Sequence, residues 1–349
     1  MKGDISSSED PSPAPPSAVG PPDRGRRRDL LRRAMRAEVI LIVVLAIMVA
    51  IFTGLNPAFL TQANVVTTLQ STTEVGLLTI GELYVIITAG IDLSVGAILG
   101  LAGVVSAIVM SGIGGSGGSR LAVGLLVALG VGIVCGLANG LMIVKVRIAP
   151  FVATLAMLGV ATGITLVLTG GAEVVGVPAL SVKIGNNVYF GFFTVPIVVT
   201  LILAVLAGFM LHRSAFGRWT YAIGSNVLAA QQSGISVGRH LIKIYVLSGL
   251  LSGIAGFVVL TRLGVGSPLE GTNDELTAIT AVVVGGASLF GGRGSMLGAM
   301  VGAVMISSIL TGLIIAGISP YWQTVVSGCI LAAAVALQTL NRRGQERAA

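Results

Sequence analysis

Long, uninterrupted apolar stretches recur along this chain, and they constrain its fold more than any other feature. Ten can be read, at roughly 39–55, 74–90, 94–112, 121–142, 150–169, 194–211, 241–262, 275–290, 296–316 and 321–339. Most are long enough to cross a hydrocarbon core about 30 Å thick as an α-helix. The apolar residues run on continuously instead of alternating, which selects a helical bundle over a barrel. Only 10% of the 349 residues are charged and 54% are hydrophobic, against about 25% charged in soluble domains. The expected fold is therefore an all-α polytopic membrane protein with about ten transmembrane helices. Forty-nine glycines suit it, because small residues let helices approach closely in lipid. The stretch at 275–290 is short and opens on Glu275.

Within the second and third stretches lies GELYVIITAGIDLSVGAILG, residues 81–100. It carries Glu82 and Asp92 at membrane depth, where a carboxylate costs about 2.5–3.5 kcal/mol on insertion scales and usually faces a bundle interior or an aqueous path. Its centre, Ala89 to Ser94, is poor helix sequence. Gly90 loosens the backbone, and Asp92 or Ser94 is placed to cap the next helix. A helix that ends, links and restarts inside protein is how transporters build a translocation path. The alternative is purely structural: Asp92 caps a helix and Glu82 bonds a neighbour. With Glu74, these are the clear embedded ionisable residues.

Lysine and arginine set an orientation. With the N-terminus inside, ten spans put eighteen of the twenty-one basic residues on the inner side, leaving Arg120, Lys183 and Arg262 outside, as the positive-inside rule requires. Both termini are then cytoplasmic, and the net charge of +7 belongs to membrane topology, not to nucleic-acid binding. Residues 1–36 read as a disordered basic tail, 37–341 as the transmembrane domain and 342–349 as a second tail. Thr61 to Thr73 reads as an interfacial segment. Gly170 to Phe193 and Gly264 to Asp274 read as outer loops. Cys135 and Cys329 read as small apolar residues, and His212 and His240 lie too far apart in sequence to suggest a metal site.

The longest inner connection, 212–240, exceeds the two to eight residues that usually join bundle helices. It holds glycine turns at Gly217 and Gly224 and a short potential helix from Asn226, as cap, to Ser233. Such length suits a partner surface. The run VVVGGASLFGGRGSMLG, 282–298, has glycines, Gly285 and Gly286 among them, that permit a tight re-entry. It is not a phosphate loop, since no Gly-Lys-Ser/Thr follows.

Three blocks carry a resemblance: GIDLSVG at 90–96, FGRWTYAIGSNVLAAQQSGISV at 216–237, and the run at 282–298. In that order and spacing they resemble the permease subunits of ribose/monosaccharide-type bacterial ABC importers, within the branched-chain amino acid/ribose permease superfamily. The likeness spans about Asn56 to Leu337, with Ala89 standing where that family often has a second glycine. It implies a type II importer permease fold in the inner membrane, working as a homodimer or heterodimer. A cytoplasmic ATPase would bind the 212–240 loop through Arg218, Gly224, Asn226, Ala229, Ala230, Ser233 and Gly234, and an extracytoplasmic sugar-binding protein would dock outside. Glu82, Gly90, Asp92, Ser94, Gly285 and Gly286 are candidates for the path or its helix breaks. No residue is catalytic, no metal is expected, and ATP with magnesium would belong to the partner ATPase. The function implied is binding-protein-dependent import of a pentose, hexose or related polyol. The alternatives are a secondary transporter or channel acting without an ATPase, or an ABC permease for another small solute such as a branched-chain amino acid.

Overall fold

The computed structural model describes residues 24–319 and 321–348. These residues hold thirteen α-helices: α1 (Arg24–Leu55), α2 (Gln62–Ile87), α3 (Val95–Gly112), α4 (Gly117–Leu141), α5 (Pro150–Thr169), α6 (Ala179–Asn186), α7 (Val195–Arg213), α8 (Ala215–Ser225), α9 (Val227–Gln232), α10 (Val237–Leu263), α11 (Asp274–Val284), α12 (Met296–Ile315) and α13 (Tyr321–Ala348). Among the described residues, strand pairing is confined to two isolated bridges, Val174 with Gly266 and Tyr189 with Phe193. The ten apolar stretches correspond to all but α6, α8 and α9. Among the described residues, eight helices are long and apolar enough to cross a membrane. The remaining two, α2 and α11, fall short for different reasons.

Helix α2 is long enough but polar. Of residues 61–73, expected as an interfacial segment, Thr61 is the N-cap and 62–73 instead form its first half, so α2 runs unbroken for 26 residues, about 39 Å at 1.5 Å per residue. Eighteen of those residues are buried, Glu74 and Glu82 among them, because α10, α12, α11 and α7 surround it. Helix α11 is short. Its 11 residues span about 16 Å, half a bilayer core, and the expected span at 275–290 stops at Val284 because Gly285 and Gly286 (φ +90°) turn the chain.

The other half of that crossing is non-helical chain, a run of bends and turns. The segment before α11, expected as an outer loop, instead descends beside α3: Gly266 lies against Val104 and Ala107, the Glu270 carbonyl faces Gly100, and Gly271 meets Gly96. Non-helical backbone at membrane depth is tolerated only where protein shields it, and the glycines of α3 make room for it. A second close approach joins α4 to α10. Gly132, Gly136 and Gly140, spaced one turn apart, face Gly249, Tyr245 and Ile242; a Cβ on Gly140 would sit 2.9 Å from the Ile242 Cα. In lipid, where apolar burial drives little helix association, such backbone contact supplies the packing.

Two ends of the bundle differ in charge. Gly238 packs on Val144 and the Tyr221 hydroxyl donates to the Gly294 carbonyl, gathering Lys145, Arg147, Arg213, Arg218, Arg239, Lys243 and Arg293 at one end, here called the basic end. At the other, Arg120 donates to the Gly176 carbonyl and Asn186 to that of Arg262, gathering the three basic residues expected opposite. The proposed tail over 1–36 lies outside the described residues up to 23; from Arg24 the backbone is already the start of α1. The proposed tail at 342–349 continues α13 as far as Ala348.

Candidate functional site

The end of α2 shows how the sequence makes the helix break. Ala89 N–H bonds the Ile86 carbonyl at 2.9 Å and Gly90 N–H bonds that of Val85 at 3.0 Å. These two bonds with a left-handed residue between them form a Schellman cap. The left-handed residue is Ala89, at φ +61°, a conformation glycine adopts without strain. Gly90 follows because a Cβ there would lie 2.6 Å from the Tyr245 hydroxyl.

Asp92 and Ser94 do not cap α3 in the expected way. Ser94 occupies the N-cap position without accepting a bond from the first turn. Its N–H and hydroxyl both donate to Asp92 Oδ1, at 3.0 and 2.6 Å, while Ser248 Oγ of α10 donates to Oδ2 at 2.9 Å. Asp92 thus closes a local turn and ties it to α10. Its own N–H donates to Glu82 Oε1 at 3.2 Å. Asn139 of α4 donates to Ser94 Oγ at 2.8 Å, and Thr154 of α5 donates to the Ile91 carbonyl at 3.2 Å. Glu82, Asp92, Ser94, Asn139 and Thr154 are all fully buried. The break is a knot joining five helices, closed on every side.

Asn139, Thr154, Tyr245 and Ser248 escaped the sequence reading. Asn139, Thr154 and Ser248 lie 45 to 156 residues from the partners they bond, Tyr245 meets Gly90 only across the fold, and no short motif can span such separations. The available signal was only a polar side chain inside an apolar stretch. Glu74 also changes meaning. It forms an ion pair with Arg262 at 2.9 Å, so it stands apart from the knot, in an acidic group with Glu270 and Asp274 where the descending segment meets α11.

The long connection folds as two helices. Ser214 caps α8 by accepting from Gly217 N–H, and Asn226 caps α9 by accepting from Ala229 N–H at 3.0 Å; the cap at Asn226 matches expectation. The glycine turns at Gly217 and Gly224 do not, for both lie within α8 and serve close approach. Gly224 rests on the Ile87 carbonyl, and a Cβ there would come within 2.6 Å of Gly292 N. Gly234 (φ +80°) does turn the chain between α9 and α10. Ala230 packs inward, while Ala229, Ser233 and, on α8, Arg218 are exposed, and Leu228 is an apolar residue left 71% exposed.

The second and third motif blocks meet at the end of α2, just before the first block. Gly292 N–H donates to the Ile87 carbonyl at 2.8 Å, Tyr221 of α8 donates to the Gly294 carbonyl at 2.7 Å, and Gly291 abuts Ala89 and the Gly224 carbonyl. Gly285, meanwhile, packs on Gly298 and ends α11. Helix α8 is further held by a Thr220–His240 hydrogen bond of 2.9 Å and by Phe216 against Tyr84, ring centroids 5.8 Å apart. A displacement of α8 would therefore press directly on the α2 terminus, the helix break and the 288–294 turn.

Comparison with known proteins agrees. The model of the branched-chain amino acid transport system / permease component family matches residues 64–335. Among curated relatives, the ribose import permease protein RbsC of Bacillus subtilis (strain 168) is 40% identical over 84% of this chain and 90% of its own length. The fructose import permease protein FrcC of Rhizobium meliloti is 35% identical over 88% and 86%. The D-allose transport system permease protein AlsC of Escherichia coli (strain K12) is 37% identical over 85% and 90%. No solved structure gives a significant match. By the extent of these matches, the chain belongs to the branched-chain amino acid transport system / permease component family.

Proposed function

We propose that this chain is the membrane-spanning subunit of an ATP-driven, binding-protein-dependent importer for a monosaccharide. The observation that carries the reading is the near full-length likeness to permeases named for ribose, fructose and allose import, proteins whose common cargo class is the monosaccharide. The chain would act as a dimer of permeases in the inner membrane with both termini cytoplasmic. A separate ATPase would hold ATP and magnesium at the basic end, and an extracytoplasmic sugar-binding protein would dock at the opposite end. Glu82, Gly90, Asp92 and Ser94 would form the hinge that opens the path, with Gly285 and Gly286 as its counterpart below α11.

Helix α9 would be the contact for the ATPase. Its exposed face, Leu228, Ala229 and Ser233, offers an apolar tip on a segment that α8 fastens to the helix break, the arrangement needed to insert into a partner groove and pass on its motion. Arg218 would add electrostatic support, with Asn226 and Gly234 fixing the segment's two ends. The test is reconstitution of the permease with its ATPase and binding protein in vesicles, reading pull-down and sugar-stimulated ATP hydrolysis. Leu228→Asp, at a residue 71% exposed, should leave folding intact and lower association at least tenfold. Gly224→Val should keep association but weaken stimulation. Full association and stimulation in both variants would move the coupling surface elsewhere. Sugar uptake by the chain without any ATPase would favour a secondary transporter.

A further inference from the structure

A cavity of about 340 Å³ opens at the basic end, where the turn after α9 leads into α10. Its lining is cationic. Arg239 and Lys243, four residues apart and so on one face of α10, both line it, with Ser233 and Ser236 from the turn and Trp219 from α8. No carboxylate does. Among the described residues the one ion pair joins Arg262 to Glu74 at the opposite end, so neither cation has an acidic partner. Like charges at this spacing repel one another.

The start of α10 strengthens the field. Ser236 holds the N-cap position, yet its side chain accepts nothing from the first turn. The hydroxyl accepts instead from Arg239 Nη2 at 3.0 Å, which steadies the guanidinium and leaves its other N–H groups to donate elsewhere. Uncapped N–H groups and the helix dipole favour an anion. The lining decides which anion. An arginine fork, an ammonium and an indole N–H are donors only, and together they present more N–H groups than a carboxylate can accept. A phosphate ester matches them, with three strong acceptor oxygens and close to two negative charges at neutral pH. The volume lies within the roughly 300–1,000 Å³ of small-molecule sites, which leaves room for an organic body beside the phosphate. Trp219, 44% exposed and set edge-on to His240 with ring centroids 6.0 Å apart, supplies apolar surface for that body to cover.

We propose that this cavity binds the phosphate group of an organic phosphate, held by Arg239, Lys243 and the first turn of α10, with Trp219 against the organic part. The bound group ties α8 to α10 across the turn that ends α9. This site is independent of the importer reading, because binding is measured on the purified chain alone.

The experiment uses the Trp322→Phe chain, in which Trp219 is the sole tryptophan, in phosphatidylcholine nanodiscs. Glycerol 3-phosphate, or glycerol with sodium chloride at the same ionic strength, is titrated while Trp219 emission and Tm are followed. The expected result is a saturable change with glycerol 3-phosphate and none with glycerol. Arg239→Gln and Lys243→Gln, at exposed residues, should fold and each raise the half-saturating concentration at least about tenfold through the loss of a charged hydrogen bond. A parallel arm replaces part of the phosphatidylcholine with phosphatidylglycerol. If that lipid produces the change and blocks any further response, the phosphate is that of a headgroup; if glycerol 3-phosphate acts equally in both nanodiscs, it is that of a soluble ester. No saturable change in either readout with either source would overturn the proposal, as would a response that survives both glutamine substitutions. Loss of ATPase association in these variants without any phosphate response would also overturn it, and would give the two cations to the partner.

Discussion

Helices α1 and α2 are neighbours in sequence and opposites in physics. None of the apolar span Glu38–Leu55 of α1 is buried within the protein. Ile40, Ile47 and Ile51 are each more than half exposed. In α2, Leu77, Ile80, Glu82, Leu83 and Tyr84 are fully buried, and that helix carries two carboxylates. In water the apolar helix would be inside and the polar one outside. In a bilayer the solvent is as apolar as leucine, so lipid contact costs α1 nothing, while polar groups are costly unless protein surrounds them. Hydropathy in this chain therefore reports lipid exposure rather than core membership.

Paired substitutions can break or sharpen that contrast. The largest effect is expected from Leu83→Ala, at about 2–5 kcal/mol of stability through the cavity left in a closed core, whereas Ile47→Ala on α1 should change stability by under about 0.5 kcal/mol. Thermal or denaturant unfolding in detergent measures both, and equal losses would mean that α1 is covered in the working assembly. Next comes charge. Ile47→Asp places a carboxylate against lipid and should cost about 2.5–3.5 kcal/mol in insertion, read as the inserted fraction in a membrane-integration assay, although α2 tolerates Glu82. Normal insertion of that variant would give α1 a polar neighbour.

At the break between α2 and α3, Asp92→Leu should lose about 1–3 kcal/mol by stranding Ser94 N–H and the Ser248 hydroxyl. Asp92→Asn retains an acceptor and should lose less than half as much, both read from unfolding midpoints. Equal values for the two would show that Asp92 is not held through its acceptor oxygens. The smallest effect is a gain. Ala89→Gly relieves the left-handed residue at φ +61° and should stabilise by about 0.5–1 kcal/mol after the entropy of the added glycine is counted. A loss would mean that the Ala89 methyl group, in contact with the 291 turn, contributes more packing than its backbone costs.

Much of the site was legible in the chain because it is local. The break after Ile87, the cap at Asn226 and the turn at Gly234 each follow from residues within a few positions of one another. The distant parts were not legible. Gly224 looks like a turn glycine in a window of ten residues, yet its role depends on the Ile87 carbonyl and on Gly292, which approach it only in the folded bundle. The segment at 264–273 has loop composition, and only the small residues of α3 decide that it runs inward.

By itself the sequence determined the all-helical membrane class and the grouping of basic residues at one end, because the bilayer imposes those from outside and acts on each stretch separately. The tertiary structure alone decided which polar residues share a partner, why α11 is half a helix, and that two distant motifs meet at the end of α2. Those outcomes depend on backbone contact between segments far apart in the chain, and glycine permits such contact without specifying which partner it receives.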